Sequence, residues 1–148
     1  MSTAERVAAD GAGPGSEPMV ADPAAVAPDA RVAREHAIVR AVGRALDGVD
    51  DPCMVAAGAP TSVVALGLVD GIAVDGGRVT VEITLTEPGC PFTHGIVSEI
   101  TDAVAALDGV EEVQVSPRWA PVWSEDRMDE RAHARLRDAR RRMTDRAA

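Results

Sequence analysis

The sequence predicts an α/β (α+β) fold, in which helices pack on a small three-stranded mixed sheet in the order α-β-β-α-β, with a further C-terminal helix. Three observations predict it. Residues 78 to 86 alternate apolar and polar side chains, as a half-buried strand does. Residues 75 to 77 read Asp-Gly-Gly, a hairpin turn. A helical apolar period then leads to a third strand at 110 to 115, and such a crossover makes the second and third strands parallel.

The segments before the sheet are predicted from composition and periodicity. Residues 1 to 28 are rich in Ala, Gly, Pro and acids without an apolar period, which predicts a disordered leader. Asp29 is predicted to cap the first helix. Residues 53 to 60 carry Gly and Pro and are interpreted as a loop, and residues 61 to 66 as a short helical turn. The inward stripe of the first helix is Ile38, Ala41, Val42, Ala45, Leu46 and Val49.

The helix after the central strand is predicted to begin at Pro91 and to run to about Leu107. Proline suits the first helical position because its fixed φ fits and its missing N–H is no loss. This places Cys90 at or near the N-cap. Residues 29 to 123 are predicted to form one domain, followed by a charged, Arg-rich helix or tail at 124 to 148. That tail has little apolar face beyond Met128, Leu136 and Met143.

Composition narrows the range of partners. All 15 basic residues are arginines and the net charge is -9, which argues against binding to nucleic acid or anionic membranes. No segment approaches the roughly 18 apolar residues of a membrane helix, and no signal pattern opens the chain, so we expect a cytoplasmic protein. The two cysteines, Cys53 and Cys90, would be reduced there, which favours metal or redox chemistry over a structural disulfide.

Cys90 is the first candidate functional residue. A thiol at a helix N-terminus faces unpaired N–H groups, which favour the thiolate that binds metals or attacks electrophiles. The alternative is a half-buried cysteine without chemistry. Cys53 is either a second thiol that approaches Cys90 or a small hydrophobic side chain in a loop. His94 follows Cys90 by four residues, and its imidazole could ligate a metal or hold the thiolate.

The number of thiols constrains any metal site. Two thiolates fall short of the four ligands of a closed iron-sulfur or structural zinc site. A single chain would need His94, a carboxylate, an exogenous thiol or a partner, whereas a homodimer would supply four cysteines. The count therefore predicts transient or shared metal binding. The sequence contains no GxSxG, P-loop or HExxH motif, and we expect it not to be an enzyme.

Several blocks in a fixed order resemble the metal-sulfur cluster assembly factor family, which includes SufT-like and PaaD-like proteins. Together they extend from about residue 32 to residue 123, and the LGLV and LTEPGCP blocks are the more specific ones. The blocks are Asp51-Pro52, VALGLV at 64 to 69, VTVEITLTEPGCP at 79 to 91, LDGV at 107 to 110, VQV at 113 to 115 and the Trp-containing segment that follows.

The resemblance implies a compact α/β domain that delivers iron-sulfur clusters to client proteins, with Cys90 as the functional cysteine. It also implies that Asp51 and Thr86 lie near the same site. Two features differ from the family pattern. Cys53 occupies the position that is acidic in the family, and the C-terminal tail has none of the cysteines of the PaaD branch.

Three functions are consistent with these features. The first is a non-catalytic assembly or carrier factor that holds iron or an iron-sulfur cluster transiently on Cys90 and Cys53, with His94 as a further ligand, and serves apo client proteins or other assembly factors. The second is an adaptor that assists maturation of a client metalloenzyme without binding metal. The third is a redox protein in which Cys53 and Cys90 form a reversible disulfide, which requires neighbouring Cα atoms.

Overall fold

The computed structural model describes residues 27 to 147 and confirms the predicted fold class. Its three strands form one mixed sheet, and the helices follow in the predicted order, with one additional short helix after the first. A turn of 3-10 helix, Glu125–Arg127, precedes the last helix. The elements are α1 (Pro28–Leu46), α2 (Pro52–Ala56), β1 (Val69–Asp75), β2 (Arg78–Thr84), α3 (Thr93–Ala105), β3 (Glu112–Arg118) and α4 (Glu130–Ala147).

The sheet has the order β1-β2-β3, with β2 in the centre. β1 and β2 are antiparallel and pair from Asp75 with Arg78, so that a two-residue turn joins them. β2 and β3 are parallel, which confirms the predicted crossover through α3. The carboxyl ends of β2 and β3 therefore lie at the same edge of the sheet. From this edge the chain continues from Thr84 towards Cys90.

The core lies on the face of the sheet that α1 and α3 cover. Because alternate strand residues point to the same face, β2 contributes every second side chain to it. The stripe predicted for the first helix reaches this core, although Ala41 and Ala45 are only half-buried. The buried side chains are Val79, Val81 and Ile83 of β2, Ile38, Val42 and Leu46 of α1, and Ile96, Ile100 and Val104 of α3.

The C-terminal segment contains the predicted helix, α4, and contacts the sheet and the core. The indole N–H of Trp123 donates a hydrogen bond to the carbonyl oxygen of Leu66 at 2.8 Å. The Arg127 guanidinium forms an ion pair with Asp70 of β1. Met128 is buried and belongs to the hydrophobic core. These contacts combine a hydrogen bond and an ion pair with apolar packing at a few positions, so the segment shows little apolar period.

Two local predictions are wrong. Asp29 does not cap α1, because Pro28 is already helical and Ala27 is the N-cap. Residues 53 to 60 are not all loop, since α2 occupies Pro52–Ala56. α2 was not predicted because a five-residue helix is too short to show an apolar period.

The predicted disordered leader, residues 1 to 28, lies outside the described residues except for its last two, and Pro28 begins α1. Among residues 27 to 147, no helix combines the length and the apolar character needed to cross a membrane.

Candidate functional site

The two cysteines meet at the carboxyl edge of the sheet. The Sγ atoms of Cys53 and Cys90 are 3.8 Å apart, although the residues are separated by 37 positions in the sequence. Both side chains are half-buried, and both thiols are free. The tertiary structure thus brings together the two residues that the sequence predicts as possible ligands, and they come from different parts of the fold.

α2 positions Cys53. The carboxylate of Asp51 accepts a hydrogen bond from the N–H of Met54 at 2.9 Å and so caps this helix, and Pro52 follows at its first position. The N–H of Asp51 donates to the carbonyl oxygen of Thr61 at 2.9 Å, which closes the base of the loop that carries α2. The cap and this closure together hold Cys53 in the first turn of a well-anchored helix.

A turn between β2 and α3 positions Cys90. Gly89 has a φ of 78°, a conformation that favours glycine, and it reverses the chain just before the thiol. The carbonyl oxygen of Cys90 accepts a hydrogen bond from the hydroxyl of Thr93 at 2.7 Å. The predicted helix start at Pro91 is wrong, because Phe92 is the N-cap and Thr93 the first residue of α3, so Cys90 lies near the N-cap and not at it. Cys90 lies two residues outside the helix, held by this turn.

The other residues predicted for the site differ in their placement. Asp51 is buried beside Cys53. Thr86 is half-buried in the connection between β2 and Cys90. His94 is exposed in the first turn of α3. Within residues 27 to 147, no three His, Cys, Asp or Glu side chains form a group able to hold a metal, so His94 stays a predicted ligand that is not assembled with both thiols.

The surroundings of Cys53 favour its neutral thiol. Burial raises the pKa of Cys53 from 9.0 to about 11, and the hydrogen bond with Cys90 and the negative charge of Asp51 act in the same direction. The negative charge of Glu87 also raises the pKa of Cys53. Glu87 was not among the residues predicted for the site. Its only sequence signal is its position three residues before Cys90. A metal ion that binds Cys53 must therefore displace a proton.

The spacing of the two sulfurs matches metal chelation. In a tetrahedral thiolate site with metal–sulfur bonds of about 2.3 Å, two sulfurs on one metal lie about 3.8 Å apart. The Sγ atoms of Cys53 and Cys90 are 3.8 Å apart. The pair can therefore chelate one metal ion with little movement and leave two of its coordination positions open. A disulfide, at about 2.05 Å, would require the sulfurs to move closer.

Exposed apolar side chains accompany the thiols. Val55, two residues after Cys53, is 51% exposed, and Phe92, two residues after Cys90, is 45% exposed. Neither was predicted as a site residue, because a single apolar residue in a turn carries no sequence period. Both side chains are therefore available to a partner that approaches the segments carrying the thiols.

We expect Asp51→Asn to lower the pKa of Cys53. The asparagine oxygen can still accept the Met54 N–H and cap α2, whereas the negative charge that disfavours the thiolate is removed. The pKa should stay above 9.0, because burial is the larger cause of the rise. The measurement is the alkylation rate of Cys53 against pH, resolved by peptide mass spectrometry. An unchanged midpoint in Asp51→Asn would contradict the assigned role of this charge.

The same shift has a consequence for stability. Because the pKa of Cys53 is raised from 9.0 to about 11 on folding, the folded chain retains a proton that the unfolded chain loses between these values. The free energy of unfolding should therefore be unaffected by Cys53 below pH 9 and fall as the pH rises from 9 towards 11. In Cys53→Ser, the free energy of unfolding should fall less steeply with pH over this range.

The family model and the known proteins that resemble this chain have related descriptions. A family model described as iron-sulfur cluster assembly protein matches residues 40–116. The Fe-S protein maturation auxiliary factor YitW of Bacillus subtilis is 34% identical over 103 residues, which cover 69% of this chain and 96% of the relative. SufT of Staphylococcus aureus, with the same description, is 35% identical over 75 residues, which cover 50% of this chain and 85% of the relative.

A solved structure shows the same architecture. The crystal structure of a domain of unknown function from Bacillus anthracis superposes with a TM-score of 0.64 at 28% identity, and the alignment covers 71% of this chain and 96% of that chain. The residues that the family model matches, 40–116, contain β1, β2, α3, the first five residues of β3 and both segments that carry the thiols. The chain belongs to the iron-sulfur cluster assembly protein family.

Proposed function

We propose that this protein is an iron-sulfur maturation factor that holds iron or an iron-sulfur cluster as transient cargo on Cys53 and Cys90 and passes it to apo client proteins. The observation that carries the proposal is the separation of 3.8 Å between the two Sγ atoms, which suits two thiolates on one tetrahedral metal. The names of its relatives in Bacillus subtilis and Staphylococcus aureus support the same role.

A two-thiolate site suits transfer better than permanent storage. Four protein ligands close a structural metal site, whereas fewer ligands leave positions at which incoming groups bind. Thiolates of a client can occupy the open positions and then replace Cys53 and Cys90 by ligand exchange. Because burial holds Cys53 as a neutral thiol, reprotonation of this residue would favour release of the cargo once the client has bound it.

The neighbouring residues have supporting roles in this proposal. Asp51 fixes α2 and adds a negative charge that attracts a cation towards Cys53. Thr86 lies on the connection that carries Cys90. His94 is a candidate third ligand, available if the first turn of α3 moves towards the thiols. The partners are apo client proteins or other assembly factors, since the net charge of -9 disfavours nucleic acid and anionic membranes.

Anaerobic reconstitution with iron and sulfide tests the proposal. We expect the wild type to gain a thiolate-to-iron absorption band and bound iron, and Cys90→Ser and Cys53→Ser to lose both. His94→Asn should weaken binding if His94 is a ligand, whereas the matched control His133→Asn, on α4, should not. Iron binding that persists in the double cysteine variant would overturn the proposal. Client binding without any iron would favour the metal-free adaptor.

A dithiol redox function is a second candidate, and the same short Sγ–Sγ distance favours it. The two thiols would lose two protons and two electrons to an oxidant such as a low-molecular-weight disulfide. Titration in glutathione redox buffers should then convert both free thiols to one intramolecular disulfide, seen as the loss of two hydrogens by mass spectrometry. If glutathione disulfide yields only mixed disulfides, this candidate is excluded.

A further inference from the structure

We propose that two copies of this chain share one [2Fe–2S] cluster, with Cys53 and Cys90 of each copy chelating one of its two irons. The inference rests on the proposed function and adds the type of cargo, its stoichiometry and the interface that forms around it. Three observations support it: the sulfur spacing, the supply of ligands and the apolar residues beside the thiols.

The sulfur spacing selects the cluster type. In a [2Fe–2S] cluster with four cysteine ligands, each iron binds two thiolates and two bridging sulfides. In a [4Fe–4S] cluster each iron binds one thiolate, so no two cysteine sulfurs share a metal. The Sγ atoms of Cys53 and Cys90 are 3.8 Å apart, which is the separation of about 3.8 Å expected for two thiolates on the same tetrahedral metal. The pair therefore fits one half of a [2Fe–2S] cluster.

The number of thiolates in one copy indicates that the partner is a second copy of the chain. The described part of the chain, residues 27 to 147, holds no group of three potential ligands, so one copy offers two thiolates and lacks the other two. A second copy supplies the same pair in the same geometry. A two-fold axis through the midpoint of the cluster would relate the two irons, and cyclic dimers of this kind are the commonest oligomers.

The residues around the thiols suit such an interface. Val55 and Phe92 are 51% and 45% exposed and follow Cys53 and Cys90 by two residues each. In a two-fold dimer the same patch packs against itself, so these side chains would be buried as the thiolates converge on the cluster. Their burial would stabilise the dimer, and the half-buried cysteines would become inaccessible to water.

The assembly reaction balances without an electron donor. Four thiols, two ferric ions and two sulfide ions give a cluster with four thiolate ligands and a total charge of -2. Four protons leave to solvent. Four iron–thiolate bonds form as four S–H bonds break, and no atom changes its oxidation state.

Native mass spectrometry of the full chain after anaerobic loading with ferric citrate and sulfide tests the inference. We expect a species of two chains, two irons and two sulfides, with the Mössbauer signature of a [2Fe–2S] cluster. Iron on a monomer, a single iron in a dimer, or a [4Fe–4S] signature would overturn the shared cluster and leave the proposed function intact. Absence of bound iron in any form would overturn both.

Phe92→Ser tests the interface independently of the ligands. Serine is a good N-cap, so α3 should form normally, and both thiols remain. The loss of a large apolar contact should weaken cluster-dependent dimerisation roughly tenfold or more. The matched control, Val32→Ser, changes a similarly exposed residue on α1. It should leave the affinity of cluster-dependent dimerisation unchanged. Equal dimer affinities in the two variants would overturn the assigned interface.

Discussion

Gly67→Ala is expected to displace the C-terminal segment and to lower the free energy of unfolding by about 2–5 kcal/mol. Gly67 has a φ of 67°, which alone costs a residue with a Cβ about 1–2 kcal/mol. A Cβ at this position would also overlap the backbone carbonyl of Arg127. Because backbone atoms cannot move aside as a flexible side chain can, the segment that contains Trp123 and Arg127 must shift or detach.

Gly76→Ala is the matched control. Gly76 has a φ of 62°, but a Cβ there would meet nothing within 4 Å. It should therefore show only the conformational cost of about 1–2 kcal/mol. Urea unfolding followed by tryptophan fluorescence gives the two stabilities, and limited proteolysis reports on detachment of α4. Equal losses of stability in the two variants would mean that the contact with Arg127 contributes nothing.

Leu46→Ala is expected to have a similarly large effect, a loss of about 2–5 kcal/mol, for a different reason. Leu46 is fully buried at the end of α1 and packs in the same core as the side chains of β2. Truncation removes apolar surface and leaves a cavity that the surrounding aliphatic side chains fill only in part. The measurement is the urea midpoint, with an unchanged m value indicating that stability alone has changed.

Val32→Ala is the matched control for the core substitution, because it lies on the same helix and is 48% exposed. It should change stability by no more than about 0.5 kcal/mol. A comparable loss in both variants would contradict the role assigned to burial, because Ala favours the helix at either position and helix propensity cannot account for a loss.

α4 stabilises the part of the chain that carries Cys53. The Arg135 guanidinium donates to the carbonyl oxygen of Pro60, and that of Arg142 donates to the carbonyl oxygen of Gly58 at 3.2 Å. Arg131 pairs with Asp47 at the end of α1 at 3.1 Å. These arginines line a cleft of about 480 Å³ beside the loop that follows α2. The Arg-rich helix thus anchors the loop that presents one of the two thiols.

The alternation of residues in β2 and the helical stripes of α1 and α3 determined the fold class, because periodicity states directly which side chains face the core. The Asp-Gly-Gly turn determined the β1–β2 hairpin, since glycines accept its backbone conformation without strain. Cys90 was predicted as a functional residue from its place between strand and helix. These features depend on neighbours within a few positions, and local sequence contains all of them.

Only the tertiary structure decided how Cys53 and Cys90 meet. Their contact joins residues 37 positions apart, and it depends on α2, a helix too short to have an apolar period, and on the Asp51 cap. Local sequence likewise does not predict that the charge of Glu87 lies near Cys53 or that Arg127 packs against Gly67. Contacts between distant segments arise from the packing of the whole core, so the spacing of two sulfurs cannot be read from the residues beside either one.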